Sequence, residues 1–122
     1  MLVQKIEHVQ LAMPAGEENK ARKFYRDLLG ISEVPKPANL AKRGGAWFEC
    51  GDIKIHLGVD KNFVPAAKAH VAFLTKELKQ IISRGQAEGL VIIFDEGLQG
   101  YDRVYIYDPF GNRLEFMQET SE

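Results

Sequence analysis

Residues 5–13 (KIEHVQLAM) alternate, with Val9, Leu11 and Met13 on one side and Ile6, His8, Gln10 and Ala12 on the other. That two-residue period predicts a β-strand, and Pro14 and Gly16 close it. Over 17–29 the spacing changes, and Ala21, Phe24, Tyr25, Leu28 and Leu29 make one helical stripe. Acidic residues stand in the first turn of that helix, and Gly30 supplies its stop. A short strand near 31–34 leads into a loop, 35–45, that contains prolines and lysines and reads as a candidate lid. Segments 46–50 and 53–59 then predict a hairpin turning at Gly51-Asp52.

The pattern starts again. Residues 69–75 (AHVAFLT) read as a strand and 76–88 as a helix with Leu78, Ile81 and Ile82 inward, ended by Gly89. A short strand at 90–94 and a loop with Gly97 and Gly100 follow. The last hairpin joins 102–107 to 113–118 through Asp108-Pro109-Phe110-Gly111-Asn112, a sequence suited to the restricted φ angles of a tight turn. Each half therefore runs strand–helix–strand–strand–strand. His8-Val9-x-Leu11 is echoed by His70-Val71-x-Phe73, 62 positions later, and Ile55-His56-Leu57 by Leu114-Glu115-Phe116, 59 positions later. A repeat this long suits a pseudo-two-fold domain rather than a solenoid. The expectation is one α+β domain over 1–122, with modules at about 4–60 and 68–119.

Composition narrows the function classes. The 122 residues fit one domain with its own core. Net charge is −1, from 16 basic and 17 acidic residues, and no basic run occurs. Neither a nucleic-acid footprint nor an anionic-membrane patch is expected. Apolar runs are too short to span a bilayer, and the first residues lack the layout of a secretory signal. Cys50 is the only cysteine, so no intrachain disulfide forms. These features together read as a cytoplasmic protein.

The candidate chemistry lies in one strand phase. One phase is aliphatic and should pack on the helices. The other carries His8, Gln10, Trp47, Glu49, Lys54, His56, His70, Arg103, Tyr105, Arg113 and Glu115. A polar phase is also what a solvent-facing antiparallel strand shows, and no HExxH or CxxC pattern occurs. What singles out His8, His56, His70 and Glu115 is their place on corresponding strands of the two halves. On a curved, half-open sheet they could converge on one concave surface. Imidazole and carboxylate suit Fe, Mn, Co, Ni or Zn, and such a set leaves coordination positions open.

The element order, with IEHVQLAMP, ARKFYRDLLGI, KAHVAFLT and YIYDPFGNRLEFMQ, resembles the vicinal oxygen chelate superfamily. That superfamily includes glyoxalase I, extradiol dioxygenases, fosfomycin-resistance proteins, methylmalonyl-CoA epimerase and bleomycin-resistance proteins. The resemblance covers essentially the whole chain, and DPFGNRLE is its most specific part. It implies paired βαβββ modules forming a curved, half-open mixed-sheet cleft, one divalent metal ion, a small-molecule substrate and a homodimer. By position it assigns metal ligands to His8, His70 and Glu115. His56 falls where glyoxalase I-like members carry a fourth ligand, usually Glu, and where dioxygenase- and fosfomycin-type members carry none.

The resemblance implies a metal acting as Lewis acid on neighbouring substrate oxygens. Arg103 and Tyr105 are candidate groups around it, Arg103 as a clamp for a carboxylate or phosphate, and Glu49 is a candidate general base. The leading expectation is a glyoxalase-like lyase, isomerase or dioxygenase acting on an oxygen-rich metabolite. The same scaffold also hosts metal-free, drug-sequestering proteins of the bleomycin-resistance type, which rely on an aromatic cleft, and fold alone does not choose between them. A regulatory or dimerisation module is a third class.

Overall fold

In the computed structural model, which describes residues 1–120, the first alternating segment forms strand β1, Val9–Met13. It begins later than the alternation over 5–13. Pairing starts only where Val9 meets Ile55 of its parallel neighbour β4, Ile53–Val59. Ahead of that point Met1, Leu2, Val3 and Ile6 are exposed.

The helical stripe becomes α1, which is α-helical over Glu18–Ala21 and continues as a π-helix over Arg22–Leu28. The Leu29 N–H reaches back five residues to the Phe24 carbonyl at 3.0 Å, the wider ring of a π turn. Ala21, Phe24, Tyr25 and Leu28 are buried, as the stripe requires. Arg22 ties the helix to β2, Glu33–Val34, through Glu33 at 2.8 Å.

The expected hairpin is β3, Ala46–Cys50, antiparallel to β4, with Trp47 opposite His56 and Phe48 opposite Ile55. The first sheet has the order β1-β4-β3-β2. Met13, Phe48, Ile55 and Leu57 share its buried phase, and Tyr25 of α1 lies against Phe48 with ring centroids 5.5 Å apart. Each such side chain contributes about 1.5–3 kcal/mol by leaving water. The 35–45 loop is fastened at its far end. The Gly45 N–H donates to the Glu18 carboxylate at 2.8 Å, and the Lys36 ammonium donates to the Gly44 carbonyl.

The second half repeats the plan with β5 (Val71–Leu74), α2 (Leu78–Ala87), β6 (Ile92–Phe94), β7 (Tyr101–Tyr107) and β8 (Arg113–Glu119). Its sheet order is β5-β8-β7-β6, with β5 and β8 parallel and the other pairs antiparallel. Val71 faces Leu114 as Val9 faces Ile55, so the register reproduces the offsets seen in the sequence. Leu78, Val104, Ile106, Leu114 and Phe116 are buried in this half. Gly85 lets α2 approach closely, since a Cβ there would stand 3.1 Å from Ile92 and 3.7 Å from Ile106.

The turn before β8 is knitted by Asp108. Its carboxylate accepts from the Phe110 and Asn112 N–H groups at 2.9 and 2.8 Å and from the Asn112 side-chain amide at 2.9 Å. Gly111, at φ +90°, closes the turn. The chain forms two compact units, Met1–Val64 and the segment from Pro65 onward. The fold is α+β, with two four-stranded mixed sheets built as βαβββ modules. Among the described residues no helix is long and apolar enough to cross a membrane.

Candidate metal and substrate site

In the first unit the sheet phase opposite the core phase carries a stack of three rings. The Trp47 ring lies parallel to His56 with centroids 4.0 Å apart, and His8 stacks on His56 at 4.4 Å. The strand pairing that sets Trp47 across from His56 places two of these rings. His56 is only 4% exposed, so its polar edge needs a partner. Glu49, one pleat along β3 from Trp47, meets His56 Nε2 at 2.8 Å. A carboxylate accepts, so Nε2 is the protonated nitrogen and Nδ1 keeps its lone pair. His8 lies just before β1, its side chain 42% exposed, with Nδ1 3.4 Å from Glu7. Glu7 in turn takes Lys54 at 2.7 Å. That hydrogen bond holds the Glu7 carboxyl below its ordinary range and the Lys54 ammonium above its own.

In the second unit the register sets Tyr105 opposite Glu115. Glu115 is buried, and its two oxygens are shared between His70 Nε2 at 2.9 Å and Arg103 at 3.2 Å. The His70 Nδ1–H donates to the Lys68 carbonyl at 2.8 Å, which leaves Nε2 as the nitrogen facing the carboxylate. Tyr105 meets His70 edge-on at 5.4 Å between centroids. Arg103 also binds Asp95 at 3.1 Å. Burial opposes the charge of Arg103, but Glu115 and Asp95 outweigh it and raise its pKa. Arg113, next to Glu115 in the same phase of β8, lies over the Tyr105 ring at 3.7 Å.

The expected ligands thus fall in two places. His8 and His56 are together in the first unit, and His70 and Glu115 in the second. Among the described residues no group of three or more His, Cys, Asp or Glu side chains is gathered that could hold a metal ion. Arg103 and Tyr105 surround Glu115, while Glu49 is engaged with His56. The ring stack and the position of Arg113 were not singled out from the sequence. Arg113 has the alternation phase of Glu115, and that is the signal that pointed to it.

A family model described as the Glyoxalase/Bleomycin resistance protein/Dioxygenase superfamily matches residues 5–116. The chain belongs to that superfamily. No curated protein matches the sequence significantly. Among solved structures, one described as a glyoxalase family protein from Bacillus anthracis is 44% identical, with 98% of each chain covered and a TM-score of 0.92. A fosfomycin resistance protein from Listeria monocytogenes is 18% identical, with 98% of this chain and 96% of that chain covered and a TM-score of 0.78. A lactoylglutathione lyase from Agrobacterium tumefaciens is 23% identical, with 97% and 96% covered and a TM-score of 0.69. These last two share the superfamily fold.

Proposed function

We propose that the protein is a cytoplasmic, metal-dependent enzyme of the glyoxalase/dioxygenase superfamily. It acts as a lyase, isomerase or dioxygenase on a small oxygen-rich metabolite. One divalent ion (Zn, Ni, Mn, Co or Fe) would be held by His8, His56, His70 and Glu115. The observation that carries this reading is the His70–Glu115 pair. His70 Nε2 stands 2.9 Å from a buried Glu115 oxygen, and Nδ1 meets the Lys68 carbonyl at 2.8 Å. The pair brings one imidazole nitrogen and one buried carboxylate oxygen together, two donor types that suit a divalent ion. When bound, the ion supplies Lewis-acid polarisation of substrate oxygens.

The chain's own groups have defined parts in this reading. Glu49 holds His56 through Nε2, the carboxylate–histidine arrangement that supports metal ligands. Arg103 fixes the second oxygen of Glu115, and Tyr105 packs against His70. An ion held by these side chains would take a small substrate through its neighbouring oxygens.

The second reading is a metal-free small-molecule-binding protein of the bleomycin-resistance type, favoured by the Trp47–His56–His8 ring stack. Calorimetric titration of tag-free, metal-stripped protein with Mn, Co, Ni or Zn separates the two. The expected result is tight binding in the wild type, abolished in both His8→Ala and Glu115→Ala without loss of the fold. His56→Ala should weaken binding by about ten-fold or more. Wild-type affinity in both His8→Ala and Glu115→Ala removes the ligand assignment. Unchanged affinity in His56→Ala alone returns the site to three ligands and favours dioxygenase-like chemistry.

A further inference from the structure

Two arginines lie against one tyrosine in the second unit, and their situations differ. The guanidinium carbons of Arg103 and Arg113 stand 5.7 and 3.7 Å from the Tyr105 ring centroid. Arg103 is doubly compensated, by Asp95 at 3.1 Å and Glu115 at 3.2 Å. Arg113 makes no hydrogen bond or ion pair among the described residues, and its Nε is buried without a partner. Nε of Arg103 is also buried and unpartnered, but the other nitrogens of that side chain are occupied. Arg113 has no direct counter-ion of its own and interacts with Asp95 only through space.

Its surroundings prepare it for a ligand. Contact with the Tyr105 ring limits how the guanidinium can turn and leaves its donor edge to meet a planar acceptor. A buried N–H without an acceptor is costly, and structures normally supply one. Arg113 is two residues from Glu115 on β8, so both rise from the same face of the sheet. The Asp108 turn, with its three hydrogen bonds, fixes the point where β8 begins and so the position of Arg113.

We propose that Arg113 is the anchor for an oxyanion of the substrate, a carboxylate or phosphoryl group taken bidentately through its two terminal nitrogens. Anion recognition therefore belongs to Arg113, and Arg103 serves as the support of Glu115. The substrate class is a small organic acid or phosphate ester. Only the identification of this anion with the substrate rests on the metal-enzyme reading. The anion site itself does not.

The test is NMR on metal-stripped protein, following the Nε–Hε signal of Arg113 while inorganic phosphate, glycolate or chloride is added at constant ionic strength. Phosphate or glycolate should shift that signal saturably and chloride should not. Stronger binding of phosphate assigns a phosphoryl group, and stronger binding of glycolate a carboxylate. Arg113→Gln should weaken binding at least ten-fold, and Arg113→Lys, which keeps the charge but not the fork, should fall between. A non-saturable shift, or Arg113→Lys binding as tightly as wild type, overturns the proposal even where Arg113→Gln fails to fold. Metal titration of Arg113→Lys keeps the two readings separate. Anion binding weakened with metal affinity intact supports this anchor, whereas anion binding by a protein that takes up no metal removes only the metal reading.

Discussion

Asp95 is held ionised chiefly by the backbone N–H of Gly97 at 2.9 Å, with Arg103 adding a contact at 3.1 Å. Against the opposing effect of burial, these put its pKa below the ordinary Asp value. A carboxyl lowered on folding stabilises the native state above its unfolded pKa, about 3.9, and loses that contribution as pH falls through the folded value. Urea midpoints should therefore drop from about pH 5 toward about pH 2.5, with a shallower acid loss in Asp95→Asn. Parallel curves for the two proteins would remove Asp95 from the acid response. Glu49 offers a second residue-scale test. Glu49→Gln should keep the fold but weaken metal binding by about 10- to 100-fold, as loss of a supporting hydrogen bond does, and unchanged affinity in titration would separate Glu49 from the site. Alternation alone placed Arg103, Tyr105, Arg113 and Glu115 in one phase. It could not say which arginine would be neutralised, because that depends on where Asp95 arrives from the loop before β7.

At the scale of elements, the turn and the clamped loop carry the sharpest consequences. Asp108→Ala removes the acceptor of three hydrogen bonds, two from backbone N–H groups, and should cost about 2–4 kcal/mol in chemical denaturation. A loss under about 0.5 kcal/mol, the scale of an ordinary surface change, would mean the turn holds without it. Gly45 has φ +82°, and a Cβ there would stand 2.0 Å from the Leu57 carbonyl oxygen. Gly45→Ala should thus destabilise by about 2 kcal/mol or more, and an unchanged urea midpoint would contradict the clamped loop. The hairpin of 46–50 and 53–59 was legible in full, since Gly51-Asp52 interrupts two clear alternations. The π-helical part of α1 was not, because the same apolar stripe serves α and π turns until the backbone bonds are seen. Nor was the late start of β1, where residues 5–8 alternate without joining the ladder.

At the scale of the whole molecule, the repeat offsets in the sequence correspond to equivalent parallel pairings, Val9 with Ile55 and Val71 with Leu114. The architecture was therefore readable from order and phase. The four expected ligands are brought together only in pairs, since pairing within each unit joins His8 with His56 and His70 with Glu115. Strands β1 and β5 are edges of their sheets, and Leu74 on β5 is 65% exposed. Sheet edges are a common place for association with a second copy. Light scattering at micromolar concentration should give twice the chain mass, and a monomer there would exclude the homodimer. The central claim is that His8, His56, His70 and Glu115 bind one divalent ion. The metal content of native protein, purified without a tag or added metal, tests it most directly. The expected result is about one divalent ion per chain, with that content lost in both His8→Ala and Glu115→Ala. Wild-type protein that carries no ion as purified and takes up none afterwards would contradict the account.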